Sequence, residues 1–407
     1  MYEKSNISIV ETDGQFLACY RDTENEVTRY FNAEGKEVEL PDFEPPVQEG
    51  SYEFALEKIS PQSDIIEEVA SQIKKCVYLK NEEEYFVIAL MIILSYCVDL
   101  FNRVPYLSLQ GLKGTGKTTL MAVMKSFVYR PVFLSDASTA ALFRIINELS
   151  PTLFIDEVEN LKIRSGSNNQ IFEVLNSGYQ KDGVVARVDA KKKVVRFKTY
   201  GFKILAGINS LFEPLQDRCI LINLEQPPKD YVPEPFPNNA ATISNNILFR
   251  LMQSSAAIKK LIVDPTELKI NAKIRLRELD KWFPILVLAK VFSNKKNDYF
   301  SIVEKYAVTN AEHHELENTK TPENMCKAIL KDFLLDNSAK AKLIDKNFFY
   351  FKTETIQKVI QTNDLYNTYR NKADFTLTLK KIGVEIDRKR FGKGPETLYK
   401  LPKSFLN

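Results

Sequence analysis

Apolar and polar residues alternate with a period of two over positions 6–31, around a turn-forming Asp13-Gly14 and a polar run at Asp22–Asn25, which predicts two or three short strands. Pro41-Asp-Phe-Glu-Pro-Pro46 and Gln48–Ser51 then break all periodicity and read as a linker. Helical stretches follow at about 52–76 and 82–100. The second contains Tyr85–Val98, YFVIALMIILSYCV, which is shorter than the roughly 20 apolar residues of a membrane span. It is bracketed by Glu82–Glu84 and Asp99, so a buried helix is predicted and no membrane association. From Pro105 to about Leu224 apolar runs of strand length alternate with helical stretches, the pattern of a parallel α/β sheet. Pro227–Pro237 interrupts it, the segment from about 240 to 310 is helical, and the last 80 or so residues close with a strand, a turn and a strand.

At 407 residues the chain predicts two or three domains, and 44% apolar with 27% charged residues excludes a disordered or fibrous protein. Formal charge nearly cancels at +3 but is unevenly spread. Residues 1–100 hold 8 basic and 21 acidic side chains, residues 101–320 hold 31 and 22, and residues 321–407 hold 17 and 10. A basic body behind an acidic start points to a polyanionic partner, nucleic acid first. The five cysteines (19, 76, 97, 219 and 326) are scattered and never spaced C-x-x-C, which argues against a disulfide framework or a zinc site and fits a reducing cytoplasm. No signal peptide opens the chain. His313 and His314 are the only histidines and read as a solvated helix end, leaving almost nothing for histidine-based catalysis.

Gly111-Leu-Lys-Gly114-Thr115-Gly116-Lys117-Thr118 has the form G-x-x-x-x-G-K-[ST], set between the apolar strand Tyr106–Leu109 and a predicted helix Thr118–Phe127. That context is what a phosphate-binding loop requires. The glycines allow main-chain N–H groups, through Thr115 to Thr119, to wrap phosphates; Lys117 reaches the β and γ oxygens and Thr118 holds Mg²⁺. The helix N-terminus adds partial positive charge. ATP with Mg²⁺ is the expected cofactor pair. Forty residues on, the apolar strand in Thr152-Leu-Phe-Ile-Asp156-Glu157 ends in two carboxylates. Asp156 can enter the Mg²⁺ shell and Glu157 can orient or deprotonate a water, which favours hydrolysis over transfer to a metabolite. The plainer alternative is a buried strand running into an acidic surface.

Gly201–Asn209 is another core strand ending in a polar side chain, and Leu215-Gln-Asp217-Arg218 precedes the strand Cys219–Leu224. This order of strands, with a terminal Asn and a downstream Arg, resembles the AAA+ ATPases. The resemblance implies that Asn209 is sensor 1 and that Arg218 acts as an arginine finger on a neighbouring subunit; a plain Asp217–Arg218 surface pair is the alternative. Between Glu157 and Asn209, Val184–Val188 and Val194–Lys198 flank Asp189-Ala-Lys191-Lys192-Lys193 and read as a hairpin with a lysine tip. A hairpin before sensor 1 resembles superfamily 3 viral helicases and minichromosome-maintenance helicases, whose tips grip DNA in a ring's channel.

Ser138-Thr-Ala-Ala-Leu-Phe-Arg144, Pro151-Thr-Leu-Phe-Ile-Asp-Glu157, Asn176-Ser-Gly-Tyr-Gln-Lys181 and Leu215-Gln-Asp-Arg218 look like helicase-like ATPases of plasmids, phages and mobile elements. Arg277-Glu-Leu-Asp280-Lys-Trp282-Phe-Pro284-Ile285 matches a later motif of that group except at Ile285, which implies Arg277 as sensor 2, with Arg275 as the competing choice. Near the end, predicted helices Thr353–Ile360 and Ala373–Ile382 precede a hairpin bearing Arg388-Lys389-Arg390 and Lys393. Helices closed by such a wing resemble a winged helix, a DNA- or protein-docking module. The expected architecture is therefore an α/β AAA+ core: a β-rich appendage at 1–45, an ATPase domain with helical lid at 46–310 and a winged helix at 311–407. The expected activity is that of a ring-shaped, hexameric DNA helicase or translocase acting on single-stranded DNA in its channel, with duplex reached through the wing. A DNA-stimulated ATPase that loads, packages or regulates, and a protein-remodelling or defence ATPase, are the other classes the residues allow.

Overall fold

The computed structural model describes residues 8–12, 15–22, 27–32, 34, 36–39, 64–134, 139–158, 168–188, 192–208, 211, 213–237, 239–319, 322–344, 347–362, 378–391 and 394–406. The turn at Asp13-Gly14, the Pro-rich linker at 41–51 and the first part of the helix predicted from 52 lie outside the described residues. The chain divides into two compact units, Met1–Val308 and Thr309–Asn407.

Unit one begins with a four-stranded antiparallel sheet in sequential order: β1 (Ser8–Thr12), β2 (Gln15–Asp22), β3 (Val27–Phe31) and β4 (Glu37–Val38). The fourth strand is two residues long, too short for alternation to reveal. Next, α1 (Ile65–Cys76) starts at Asp64, whose carboxylate accepts the Glu67 N–H at 3.2 Å as an N-cap. The same carboxylate accepts from Tyr299 Oη at 2.7 Å and from the Asn294 and Asn297 amides at 2.8 and 3.0 Å. Burial raises the Asp64 pKa, but the hydrogen bonds outweigh it and hold the group below its ordinary value. The apolar stretch after it forms α2 (Glu82–Leu94), buried on every side from Val87 onward, so it is core. No helix among the described residues is long and apolar enough to cross a membrane.

The central layer follows, in chain order: β5 (Tyr106–Gln110), α3 (Lys117–Phe127), β6 (Pro131–Phe133), α4 (Thr139–Leu149), β7 (Thr152–Ile155), α5 (Asn168–Ser177), a hairpin of β8 (Val184–Val188) and β9 (Val194–Lys198), then β10 (Lys203–Gly207), α6 (Glu213–Gln216) and β11 (Cys219–Asn223). The five sheet strands run β11-β5-β10-β7-β6, all parallel. Every residue of β5, β7 and β10 is buried, as continuous apolar runs covered on both faces should be. Helices α7 (Ala240–Val263), α8 (Arg277–Phe292) and α9 (Tyr299–Thr319) fill the stretch predicted as helical. His313 and His314 lie inside α9, and the described residues contain no cluster of side chains able to hold a metal. Cys76, Cys97, Cys219 and Cys326 are buried and stand outside any disulfide.

Unit two contains α10 (Pro322–Asn337), β12 (Leu343–Ile344), β13 (Phe348–Lys352), α11 (Thr353–Thr362), β14 (Glu385–Phe391) and β15 (Gly394–Pro402). Its sheet is antiparallel, in the order β12-β13-β15-β14, over a core that includes Leu330, Phe351, Ile356 and Leu401.

Asp64→Ala should lower the unfolding free energy by about 1–3 kcal/mol, because it orphans the hydroxyl of the buried Tyr299 and removes a cap. A depressed carboxylate stabilises above its unfolded pKa and loses that contribution as pH falls through the folded value. The difference between Asp64→Asn and the parent, measured by denaturant titration, should therefore shrink as pH drops below 3.8.

Candidate nucleotide site and the two edges of the sheet

Parallel strands present all their carboxyl ends at one edge, and at a point where strand order reverses a crevice opens there. Here β10 lies between β5 and β7, with Leu205 level with both Ser108 and Ile155. Extending that register, Asp156 and Glu157 come level with Leu109 and Gln110, immediately below the loop that begins at Gly111. A cleft of about 480 Å³ results, lined by Lys113, Gly114, Gly116–Thr119, Asp156, Glu157, Gly207 and Ile208.

Local geometry explains the loop's composition. Gly116 has φ +93° and forms the N-cap of α3, a left-handed conformation that a side chain would strain. A Cβ on Gly111 would stand 2.5 Å from the Leu224 carbonyl oxygen. Thr115 Oγ1 donates to the Leu112 carbonyl at 2.9 Å, and the Gln226 amide donates to the Lys113 carbonyl at 3.2 Å, bracing the loop from the strand beyond. No side chain caps α3 and none in its first turn is acidic, so its leading N–H groups remain for an anion. Lys117 Nζ donates to the carbonyls of Gly111 and Leu112 at 2.5 and 2.9 Å, which keeps the ammonium over the loop. Thr118 and Thr119 are exposed at the cleft. The Glu157 N–H donates to Asp156 Oδ1 at 2.8 Å, and Glu157 has φ +51°, an uncommon conformation for a non-glycine residue. Both carboxylates are exposed. These features fit a triphosphate with Mg²⁺: a cradle closed to Cβ atoms, a cation, a hydroxyl and two carboxylates at one mouth.

Arg218 is elsewhere. Cys219 pairs with Tyr106, and the Arg218 carbonyl accepts the Tyr106 N–H at 3.0 Å, which puts Arg218 at the amino edge of the sheet. Arg277, at the start of α8, is ion-paired with Asp217 at that same edge. Arg103 pairs with Asp280 nearby, and Arg275 joins them around a larger cavity of about 1000 Å³ that also includes Lys181 and Leu276. Arg218 Nη1 donates to Asn176 Oδ1 at 3.0 Å. Asn176 was part of a motif string but carried no predicted role; only its contact identifies it. Asn209, Lys191 and Lys393 lie outside the described residues.

The hairpin pairs Val188 with Val194, and its strand limits match the two predicted apolar runs. Lys192 and Lys193 are exposed, and Val188 and Val194 below them are 67% and 68% exposed. Its root rests on α4, where Phe197 packs on Phe143 at 5.7 Å and the Lys198 N–H donates to Asn147 Oδ1 at 2.9 Å; nearer the tip Arg187, opposite Val195, pairs with Glu173 of α5. In unit two Arg388, Lys389 and Arg390 occupy β14, paired with Thr397, Glu396 and Pro395 of β15.

No family model matches the chain, and no curated protein matches it. Among solved structures it is similar to "SCCmec type IV Cch - active helicase" at 16% identity, over 98% of this chain and 79% of that one, with a TM-score of 0.41. It is similar to the NrS-1 C-terminal region at 13% identity, over 85% and 78%, with a TM-score of 0.39. It is also similar to JCV helicase at 15% identity, over 62% and 61%, with a TM-score of 0.27.

Proposed function

We propose that the chain is an ATP-hydrolysing AAA+ motor that assembles into a ring and moves on DNA, in its most concrete form a replicative helicase of a plasmid, phage or integrated element. The observation that carries this reading is the division of the charged residues between the two edges of one parallel sheet. Gly111–Thr119, Asp156 and Glu157 line one edge; Arg218 and Arg277 occupy the other, about 16 Å away along a five-residue strand. An arginine at that distance cannot reach a γ-phosphate in its own cleft. It completes a site only on a second copy, which makes a head-to-tail ring the natural assembly.

In this reading the loop N–H groups and Lys117 bind and orient the phosphates, and Thr118 and Asp156 hold the metal shell. Bound Mg²⁺ would offset charge on the β and γ oxygens. Glu157 takes a proton from the attacking water, and Asn209 aligns that water. Arg218 of the adjacent subunit, with Arg277 beside it, stabilises the charge that spreads over the transferred phosphoryl group. Because Arg277 is paired to Asp217, we assign its sensing role to the same trans face; Arg275, on the neighbouring cavity, is the alternative. The lysine tip at 191–193 grips single-stranded DNA through its phosphates, and Arg388–Arg390 with Lys393 on the terminal wing add duplex contacts.

Three measurements test this. Lys117→Ala should abolish nucleotide binding in a calorimetric titration. Replacing Lys191–Lys193 by Ala should stop displacement of a forked duplex while DNA-free ATP turnover persists; survival of displacement would remove the hairpin from the mechanism, and turnover without displacement in the parent would favour a loader or regulator. Arg218→Ala should lower kcat by about 10³–10⁵, and mixing it with Glu157→Gln subunits should restore activity at interfaces that unite the intact halves. Absence of that recovery would remove Arg218 from the neighbouring subunit's site and with it the argument for a ring.

A further inference from the structure

Lys203 opens β10 and is 1% exposed, yet its ammonium has no carboxylate among its hydrogen-bond partners in the described residues. A buried charge without a counter-ion is costly, and an apolar side chain of similar length would fill the same volume. What the ammonium does have is three acceptors for three donors. It donates to the carbonyls of Thr199 at 2.9 Å, Gly201 at 3.0 Å and Gly178 at 3.4 Å, and lies 4.8 Å from the Tyr106 ring centroid. Those carbonyls belong to the exit of β9, the lead-in to β10 and the residue just past α5. Gly178 is required for the approach, since a Cβ there would stand 2.5 Å from Lys203 Nζ.

The same turn makes two further connections. Asn176 accepts from Arg218, and Ser177 Oγ hydrogen-bonds Thr199 Oγ1 at 2.9 Å. Thr199 in turn ties the two hairpin strands, its N–H and its hydroxyl both donating to the Gly183 carbonyl at 3.0 Å. Three consecutive residues, 176–178, therefore hold Arg218, the hairpin root and the sheet.

We propose that Lys203 is a positioning residue: through Asn176–Gly178 it locks Arg218 and the root of the β8–β9 hairpin into one rigid piece, so that a displacement of Arg218 is delivered to the hairpin instead of being absorbed at its base. The inference rests on the proposed roles of Arg218 and the hairpin, but its test does not. Burial brings the Lys203 pKa down to about 7. The titratable group that faces it is Tyr106, whose phenol is in turn influenced by Tyr179, Tyr200, Cys219 and the Arg218 guanidinium; burial raises the three phenols and the thiol. Below that pH three donors meet three carbonyls; above it the neutral amine has two.

The full chain carrying nitroxides at Val188→Cys and Lys125→Cys, in a Cys19→Ser background, reports the hairpin's position against the nucleotide-binding helix by dipolar spectroscopy. One narrow distance is expected in the parent, its loss in Lys203→Met, and partial recovery in Lys203→Gln, which retains a donor. A narrow distance surviving in Lys203→Met would overturn the proposal. Should Lys203→Met fail to fold, the parent decides: its distribution should broaden as pH rises through about 7, and an unchanged distribution would overturn the proposal equally. In parallel, Lys203→Met should lose DNA stimulation of ATP turnover. A parent without any DNA response would refute the motor reading while the distances still judge Lys203.

Discussion

Five strands that all run in one direction impose a polarity on everything attached to them. Carboxyl ends gather at one edge, amino ends at the other, and loops inherit their position from the strand they leave or enter. The glycine-rich loop from Gly111 leaves β5 and the carboxylate pair leaves β7, so both open on one cleft. Arg218 enters β11 and is held to the opposite edge by the Tyr106 N–H. No local feature of these residues would separate them in this way; parallelism alone does. On the proposed reading, that separation is also the reason the activity would belong to an assembly and not to one chain.

The middle of the sheet can be this rigid because β5, β7 and β10 are buried on both faces. Its strands have no polar face to hydrate, and α2, wholly apolar after its first turn, packs into the same core with Trp282 and Leu286 of α8. Against that background a charged Lys203 at the head of a core strand is an exception, and its three carbonyl partners explain how the exception is tolerated. A two-stranded hairpin is marginal by itself. The β8–β9 pair gains support at the root from Phe143 and Asn147 and further out from the Glu173 pair with Arg187, while its outer valines and lysines remain exposed. Firm at the base and bare at the tip is a suitable form for an element that transmits force, as proposed.

Local chemistry was legible in the linear chain. The G-x-x-x-x-G-K-T string needs only its flanking strand and helix to be recognised, because its glycines, lysine and threonine act within one turn of one another. The apolar runs of β5, β7, β10 and the hairpin were visible for the same reason: strand formation is written in neighbours two residues apart. The two-residue β4 was not, and neither was the position of His313 and His314 inside α9, since a helix boundary within a polar stretch has no periodicity to mark it.

Residue order alone therefore determined the parallel α/β class, the glycine-rich turn between β5 and α3 and the existence of a lysine-tipped hairpin, all of which depend on short-range pattern. Only the tertiary structure decided that β10 is inserted between β5 and β7, that Arg277 pairs with Asp217, that Asn176 meets Arg218, and that Lys203 is buried on three carbonyls. Such contacts join segments tens of residues apart, and which segments meet is settled by how the apolar faces of the whole core pack together, not by any interval along the chain.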